Sequence, residues 1–224
     1  MLAAVFACKV NTNPNLPVAI EVILPDSGRV EVTDTFRPSG QVLNGVGGPL
    51  PDSLFWSSLD TTLVVVDSAT GVSYGAFVGP ARLQARSGNL YSSANTPNVT
   101  VIPRLDSIRA ASATRDTVFV TPVPPDTAAD SLSDTLRVQA YALGGAIPTR
   151  RRVVYAMTVF PDSGPVVTFV PNDTVLTSGA TAFTRVRWES GTRPDSVVVT
   201  ATMRHVNGTL VQGSPVTFVV EFRP

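Results

Sequence analysis

One cysteine, one histidine and one lysine are all that the 224 residues contain, and each scarcity removes a class of chemistry. A lone thiol, Cys8, leaves no internal disulfide and no multi-cysteine zinc or iron–sulfur site. A lone imidazole, His205, rules out two-histidine metal motifs and leaves acid–base catalysis few candidates. Formal net charge is zero and 15% of residues are charged, so the chain lacks the basic excess by which a nucleic-acid binder displaces counterions. No apolar stretch is long enough for a membrane-spanning helix, and the short, Pro-interrupted runs do not read as porin strands. The G-x-S-x-G elbow, the P-loop, the dinucleotide fingerprint and H-E-x-x-H are missing too. With only four Glu, paired-carboxylate chemistry has little support. The expectation is a non-enzyme without cofactor or metal.

What is present reads as β-structure. Gly 16 and Pro 19 are spread along the chain and leave few windows for a three-turn helix. Val and Thr are abundant, and their branched Cβ suits a pleated surface. Apolar residues alternate at Val18, Ile20, Val22 and Leu24, and again at Leu136, Val138, Ala140 and Ala142 with Arg137, Gln139 and Tyr141 opposite. Val197, Val199, Ala201 and Met203 repeat the pattern, as do Val216, Phe218, Val220 and Phe222. Turn signals punctuate these strands. Pro-Asp-Ser recurs at Pro25, Pro51, Pro161 and Pro194, where Pro fixes φ and Asp or Ser can bond a nearby amide. Asn207-Gly208 after His205 predicts a two-residue hairpin turn.

The expected class is all-β, two tandem immunoglobulin-like antiparallel β-sandwiches, each of ordinary size for that fold. Residues 1–17 read as an N-terminal apolar segment and linker, 18–103 as the first sandwich, 104–116 as a linker or short helical turn, and 117–224 as the second sandwich.

The stretch Leu54-Phe55-Trp56-Ser57-Ser58, then Leu63-Val64-Val65-Val66-Asp67, Gly71-Val72 and Gly79-Pro80-Ala81-Arg82-Leu83-Gln84-Ala85 resembles the bacterial Ig-like group-two family over residues 28–103. The second half is more weakly similar to the invasin type, through Leu136–Ala142, Gly179–Phe183 and Ser196–Met203, and departs from it at Gly144-Gly145-Ala146-Ile147-Pro148. The resemblance implies an extracytoplasmic, structural or adhesive protein with no catalytic motif of its own.

Val5-Phe6-Ala7-Cys8 resembles a bacterial lipobox, in which the cysteine is acylated and the chain becomes membrane-anchored. A basic n-region is missing and the apolar run is short, so a buried apolar strand with an inert thiol stands beside that reading. Arg150-Arg151-Arg152 is the densest charge cluster: either a contact for a partner's carboxylates or lipid headgroups, or a solvated strand start guarding a sheet edge. His205 reads as a surface residue, and Trp56 and Trp188 as core. Tyr74, Phe77, Tyr91 and Phe160 are candidate exposed anchors. Asp60, Asp67, Asp106 and Asp116 flank loops without a calcium-loop arrangement, and Asn98 and Asn207 head glycosylation sequons.

Together these predict an accessory subunit, periplasmic or at the cell surface, that stabilises a larger membrane protein assembly. It would meet protein subunits through fitted β surfaces and the membrane through its N-terminus, with no nucleic-acid partner. The specific expectation is similarity to the extrinsic periplasmic subunit of a bacterial photosynthetic reaction centre–light-harvesting complex. The alternative is a cell-surface adhesin or carbohydrate-binding Ig-like module.

Overall fold

A strand with one apolar face must lay it against another sheet, and this chain does so twice. The computed structural model describes residues 13–121 and 130–224. The chain divides into two compact units, the first ending at Ile102 and the second starting at Pro103. Cys8 lies outside the described residues. No helix among those described is long and apolar enough to cross a membrane.

The first unit runs β1 (Pro17–Ile23), β2 (Arg29–Glu31), β3 (Thr35–Phe36), β4 (Ser39–Asn44), β5 (Pro49–Leu50), β6 (Phe55–Ser58), β7 (Val64–Val66), β8 (Ser73–Gly75), β9 (Gly79–Ala81), β10 (Leu83–Ser87), β11 (Leu90–Tyr91) and β12 (Val99–Ile102). These pair as β1-β4-β5, β11-β10-β6, β2-β12-β9 and β3-β8-β7. All four sheets supply one core: Ile20 and Val42, Trp56 with Leu83 and Ala85, Val30 with Val99 and Val101, and Val64. Its strands are short because turns follow so closely. At Pro25-Asp26-Ser27 the backbone itself makes the turn, Asp26 and Ser27 both left-handed at φ 48° and 55°. At Pro51 the side chain does the work instead: Asp52 accepts from the Ser53 amide at 2.7 Å and from the Ser87 hydroxyl.

The second unit contains β13 (Leu105–Ala110), β14 (Arg115–Phe119), β15 (Leu136–Ala142), β16 (Arg152–Phe160), β17 (Pro165–Val170), β18 (Thr174–Leu176), β19 (Thr181–Gly191), β20 (Ser196–Met203) and β21 (Val216–Arg223). They form two sheets, β13-β15-β19-β17 and β14-β21-β20-β16-β18. Leu136, Val138 and Ala140 from the first meet Val197, Val199, Met203, Phe218 and Val220 from the second. Each such side chain is at most 1% exposed, and full burial of a Val- or Phe-sized side chain stabilises by about 1.5–3 kcal/mol.

Both units are all-β sandwiches of the expected class, with two departures. Residues 104–116 are not a linker or a helical turn, since Leu105–Ala110 pairs with β15 and Arg115–Phe119 with β21. The sheets are also not wholly antiparallel. In each unit the opening strand is divided between sheets: β1 pairs with β4 while β2 joins the last strand, β12, in parallel. Likewise β13 pairs with β15 while β14 runs parallel to β21. Changing sheets early puts a strand beside each unit's final strand with the same direction as it.

Close packing in the first unit centres on Trp56. After β7, Asp67 accepts from the amides of Ala69 and Thr70 and from the Thr70 hydroxyl, turning the chain toward Gly71 at φ 72°. A Cβ at Gly71 would stand 2.8 Å from the Trp56 Nε1. In the second unit, Tyr155 is 2% exposed, stacks tilted on Phe169 at 6.4 Å, and has no hydrogen-bond partner for its hydroxyl among the described residues. Burial raises its pKa well above the phenol range.

Two stability predictions follow from these contacts. Gly71→Ala adds both backbone strain and an overlap with the indole, and is expected to cost about 1–3 kcal/mol in denaturant unfolding. Tyr155→Phe keeps the ring and removes a buried, unbonded hydroxyl, so the same measurement is expected to show stability raised by about 1 kcal/mol.

Candidate binding surfaces

Side chains alternate along a strand, so the buried Val and Ala of β15 and β19 fix what faces outward. Arg137, Gln139 and Tyr141 point out from β15, and Phe183 and Arg185 from β19. Register then aligns them. Arg109 lies opposite Gln139, and Gln139 opposite Thr181. One row along, Arg137 lies opposite Phe183. Arg109, Arg137 and Arg185 therefore descend diagonally across three adjacent strands, with steps of about 7–8 Å. The Arg109 guanidinium sits 5.6 Å from the Tyr141 ring centre, and that of Arg137 5.9 Å from Phe183. The rings keep 40% and 44% of their surface in solvent. Arg185 donates through Nε to the Thr135 hydroxyl at 3.2 Å. None of these three arginines has a carboxylate within ion-pairing distance among the described residues. Arg187, one row further, differs: Glu189 stands 3.9 Å away and also accepts from the Thr168 hydroxyl. At its side, Arg137 borders an open cleft of about 300 Å³ with Ser112, Arg115, Asp116, Asp134 and Thr135.

The first unit carries a smaller version. On β11-β10-β6 a single row reads Tyr91, Arg86, Phe55, with the Arg86 guanidinium 5.8 Å from the Phe55 ring centre. On β3-β8-β7 Thr35 opens the outward row and the rest of it is apolar: Val65 lies opposite Tyr74, with Val72 two residues along the same face and Phe77 just beyond. All four are exposed, Phe77 at 68%.

Of the four aromatic anchors expected from sequence, Tyr74, Phe77, Tyr91 and Phe160 are all exposed. Trp56 is buried, and Trp188 is partly buried against the second core, its Nε1 donating to the Ser190 carbonyl at 2.9 Å. The arginine triplet does not act as one cluster. Arg151 is 5% exposed, because it shares the inward face of the chain with Val153 and Tyr155. Its amide donates to the Thr177 hydroxyl at 2.9 Å, and that hydroxyl donates to the Pro148 carbonyl at 2.5 Å. Arg150 and Arg152 remain at the surface, Arg150 in a turn with φ 56°. His205 opens a longer turn than expected. Its carbonyl accepts from Gly208 and its amide donates to Thr209, and positive φ occurs at Gly208 but not at Asn207, which a two-residue type I′ turn would require.

The aspartates and asparagines flagged from sequence serve the fold. Asp106 accepts from the adjacent Ser107 hydroxyl at 3.0 Å, Asp116 from the Asp134 amide at 2.7 Å, and no group of His, Cys, Asp and Glu among the described residues could hold a metal. The Asn98 side chain bonds both the amide and the carbonyl of Leu83 at 2.8 Å, so its nitrogen is already engaged. Asp60 binds Arg82 through the backbone amide, Nε and a terminal nitrogen, at 2.8–2.9 Å. Hydrogen bonding from the Arg82 side chain holds its carboxyl down at about 2.

No protein-family description matches the chain, and no curated protein does. Solved structures with a similar arrangement include domains 4 and 5 of the S-layer protein SbsC, at TM-score 0.36 and 12% identity, covering 93% of this chain and 99% of that one. The Yersinia pseudotuberculosis adhesin InvE matches at TM-score 0.37 and 15% identity over 89% of this chain, which spans 58% of the InvE structure. The fibronectin(III)-like modules of Clostridium thermocellum CbhA match at TM-score 0.43 and 12% identity, over 91% of this chain and 94% of theirs.

The Asp60 pair sets a pH dependence. A carboxyl whose folded pKa is lowered contributes stability above its ordinary value and loses it as pH falls through the folded one. Asp60→Asn is therefore expected to unfold at lower denaturant than the parent near neutral pH. The gap should close between the ordinary 3.8 and about 2, as followed by urea titrations at stepped pH.

Proposed function

We propose that this chain is a non-enzymatic binding protein of the cell exterior or periplasm, an accessory structural subunit that attaches to a larger membrane protein assembly. One observation carries the reading: the outward face of β7 and β8 is apolar where a free sandwich surface would be polar. Val65, Val72, Tyr74 and Phe77 stand exposed together at 52%, 44%, 39% and 68%. Contiguous apolar surface of this kind marks a place where a partner is meant to sit. Arg150 and Arg152 remain available as charged contacts of the second unit. Anchoring through Cys8 is part of the proposal and would add membrane affinity to protein affinity. The narrower expectation of a photosynthetic complex has no carrier among the described residues, and the proposal is made without it.

A second reading, a carbohydrate-binding surface module, is favoured by a different observation, the row of arginines and open aromatic rings on β13-β15-β19. The two readings use different surfaces and can both hold.

Gentle solubilisation of native membranes tests the first. The chain is expected to migrate with an assembly much larger than its own 23.6 kDa. Val65→Thr with Tyr74→Thr keeps strand propensity while removing the apolar row, and should weaken that association by about tenfold or more at unchanged unfolding midpoint. Migration of the parent chain as a free protein would end the proposal. Mass analysis of the mature N-terminus decides the anchor, which predicts an acylated Cys8.

A further inference from the structure

The geometry points to the outward face of β13, β15 and β19 as a binding site for an acidic polysaccharide, its carboxylates on Arg109, Arg137 and Arg185 and its sugar rings against Tyr141 and Phe183. This inference rests on the carbohydrate-binding reading and gives it a ligand class. Three features of the face carry it.

The first is charge without counter-charge. Arg187 on the same sheet has its glutamate at 3.9 Å, whereas no carboxylate among the described residues lies within ion-pairing distance of Arg109, Arg137 or Arg185, Asp116 and Asp134 standing only along the cleft beside Arg137. Successive arginines stand about 7–8 Å apart at the backbone, and a polyanion laid over them supplies what the fold withholds. The second is chemistry. The planar guanidinium fork matches a carboxylate in a bidentate way, which an ammonium does not. The third is the interleaving of rings with charge. Tyr141 and Phe183 flank the diagonal with 40% and 44% of their surfaces open, and each is steadied by a guanidinium rather than covered by protein. Exposed rings offer an apolar plane to the C–H face of a sugar while the adjacent arginines read its acid group. The sites belong to three neighbouring strands of one sheet, so they are held in place before any ligand arrives, which lowers the entropic cost of binding. A single-stranded nucleic acid shares the anionic and stacking features, and the comparison with oligo(dT) separates it from the polysaccharide.

The test uses the whole chain with polygalacturonate, its fully methyl-esterified form and oligo(dT) as probes in titration calorimetry at two salt concentrations. The parent is expected to bind polygalacturonate, more weakly at high salt, and the ester at least about tenfold less well. Arg109→Gln, Arg137→Gln and Arg185→Gln should each weaken binding about three- to tenfold, and Arg137→Lys should only partly restore it. Phe183→Leu, which keeps the site apolar, should also weaken it, with near-ultraviolet circular dichroism verifying the fold of every variant. Failure to bind polygalacturonate, affinity untouched by the triple arginine change, or stronger binding of oligo(dT) would overturn the inference. If the ester binds as well as the acid and only Phe183→Leu matters, the carbohydrate reading stands and the acidic-ligand inference falls. If neither binds, both fall.

Discussion

In the second unit Val138 and Ala140 on β15 lie against a core that leaves each no more than 1% exposed, and a strand has only two faces. Once those two residues point inward, Arg137, Gln139 and Tyr141 have no choice but to point out. The same parity on β19 turns Ala182, Thr184 and Val186 in and Phe183 and Arg185 out. A slip of one residue in either strand would bury arginines and expose the core, so the register is locked by burial rather than by anything on the surface. The alignment of guanidiniums and rings is thus inherited from the packing behind it. The apolar row of β7 and β8 has the same origin, with Val64 and Ser73 inside and Val65, Val72 and Tyr74 outside.

The strands that alternate cleanly were legible in the chain itself, and 136–142, 197–203 and 216–222 occupy the positions their pattern predicts. What escaped was residue 104–116, for a definite reason. A register shift between Leu105 and Ser107 buries Ser107 and Ile108 in succession, which breaks the two-residue period. The chain then leaves one sheet for the other within a few residues. Arg109 sits in that segment, so the third arginine of the diagonal was hidden although Arg137 and Tyr141 were plain. Cross-strand partners separated by dozens of residues leave no local trace, which is why Arg137 and Phe183 could not be matched beforehand.

Arg151 teaches the converse. Three successive arginines stand out as a charge cluster, yet parity with Val153 and Tyr155 assigns the middle one to the interior. Charge draws the eye to composition, while periodicity decides where a side chain goes. The aspartates behave similarly: Asp60 and Asp67 sit where a metal ligand would be sought, yet Asp60 spends its oxygens on Arg82 and Asp67 on the turn after β7.

The parallel pairing of β14 with the final strand has a mechanical meaning. Arg115 to Phe119 run alongside Val219 to Arg223 in the same direction. Tension drawing the chain's end at Pro224 away from the residues before β14 slides the two strands lengthwise past each other. All the hydrogen bonds of the ladder then carry the load at once, whereas a hairpin pulled at its open end parts one bond at a time. The first unit closes in the same manner, with β2 beside β12. In each sandwich the parallel pair is a clasp that resists such tension in shear.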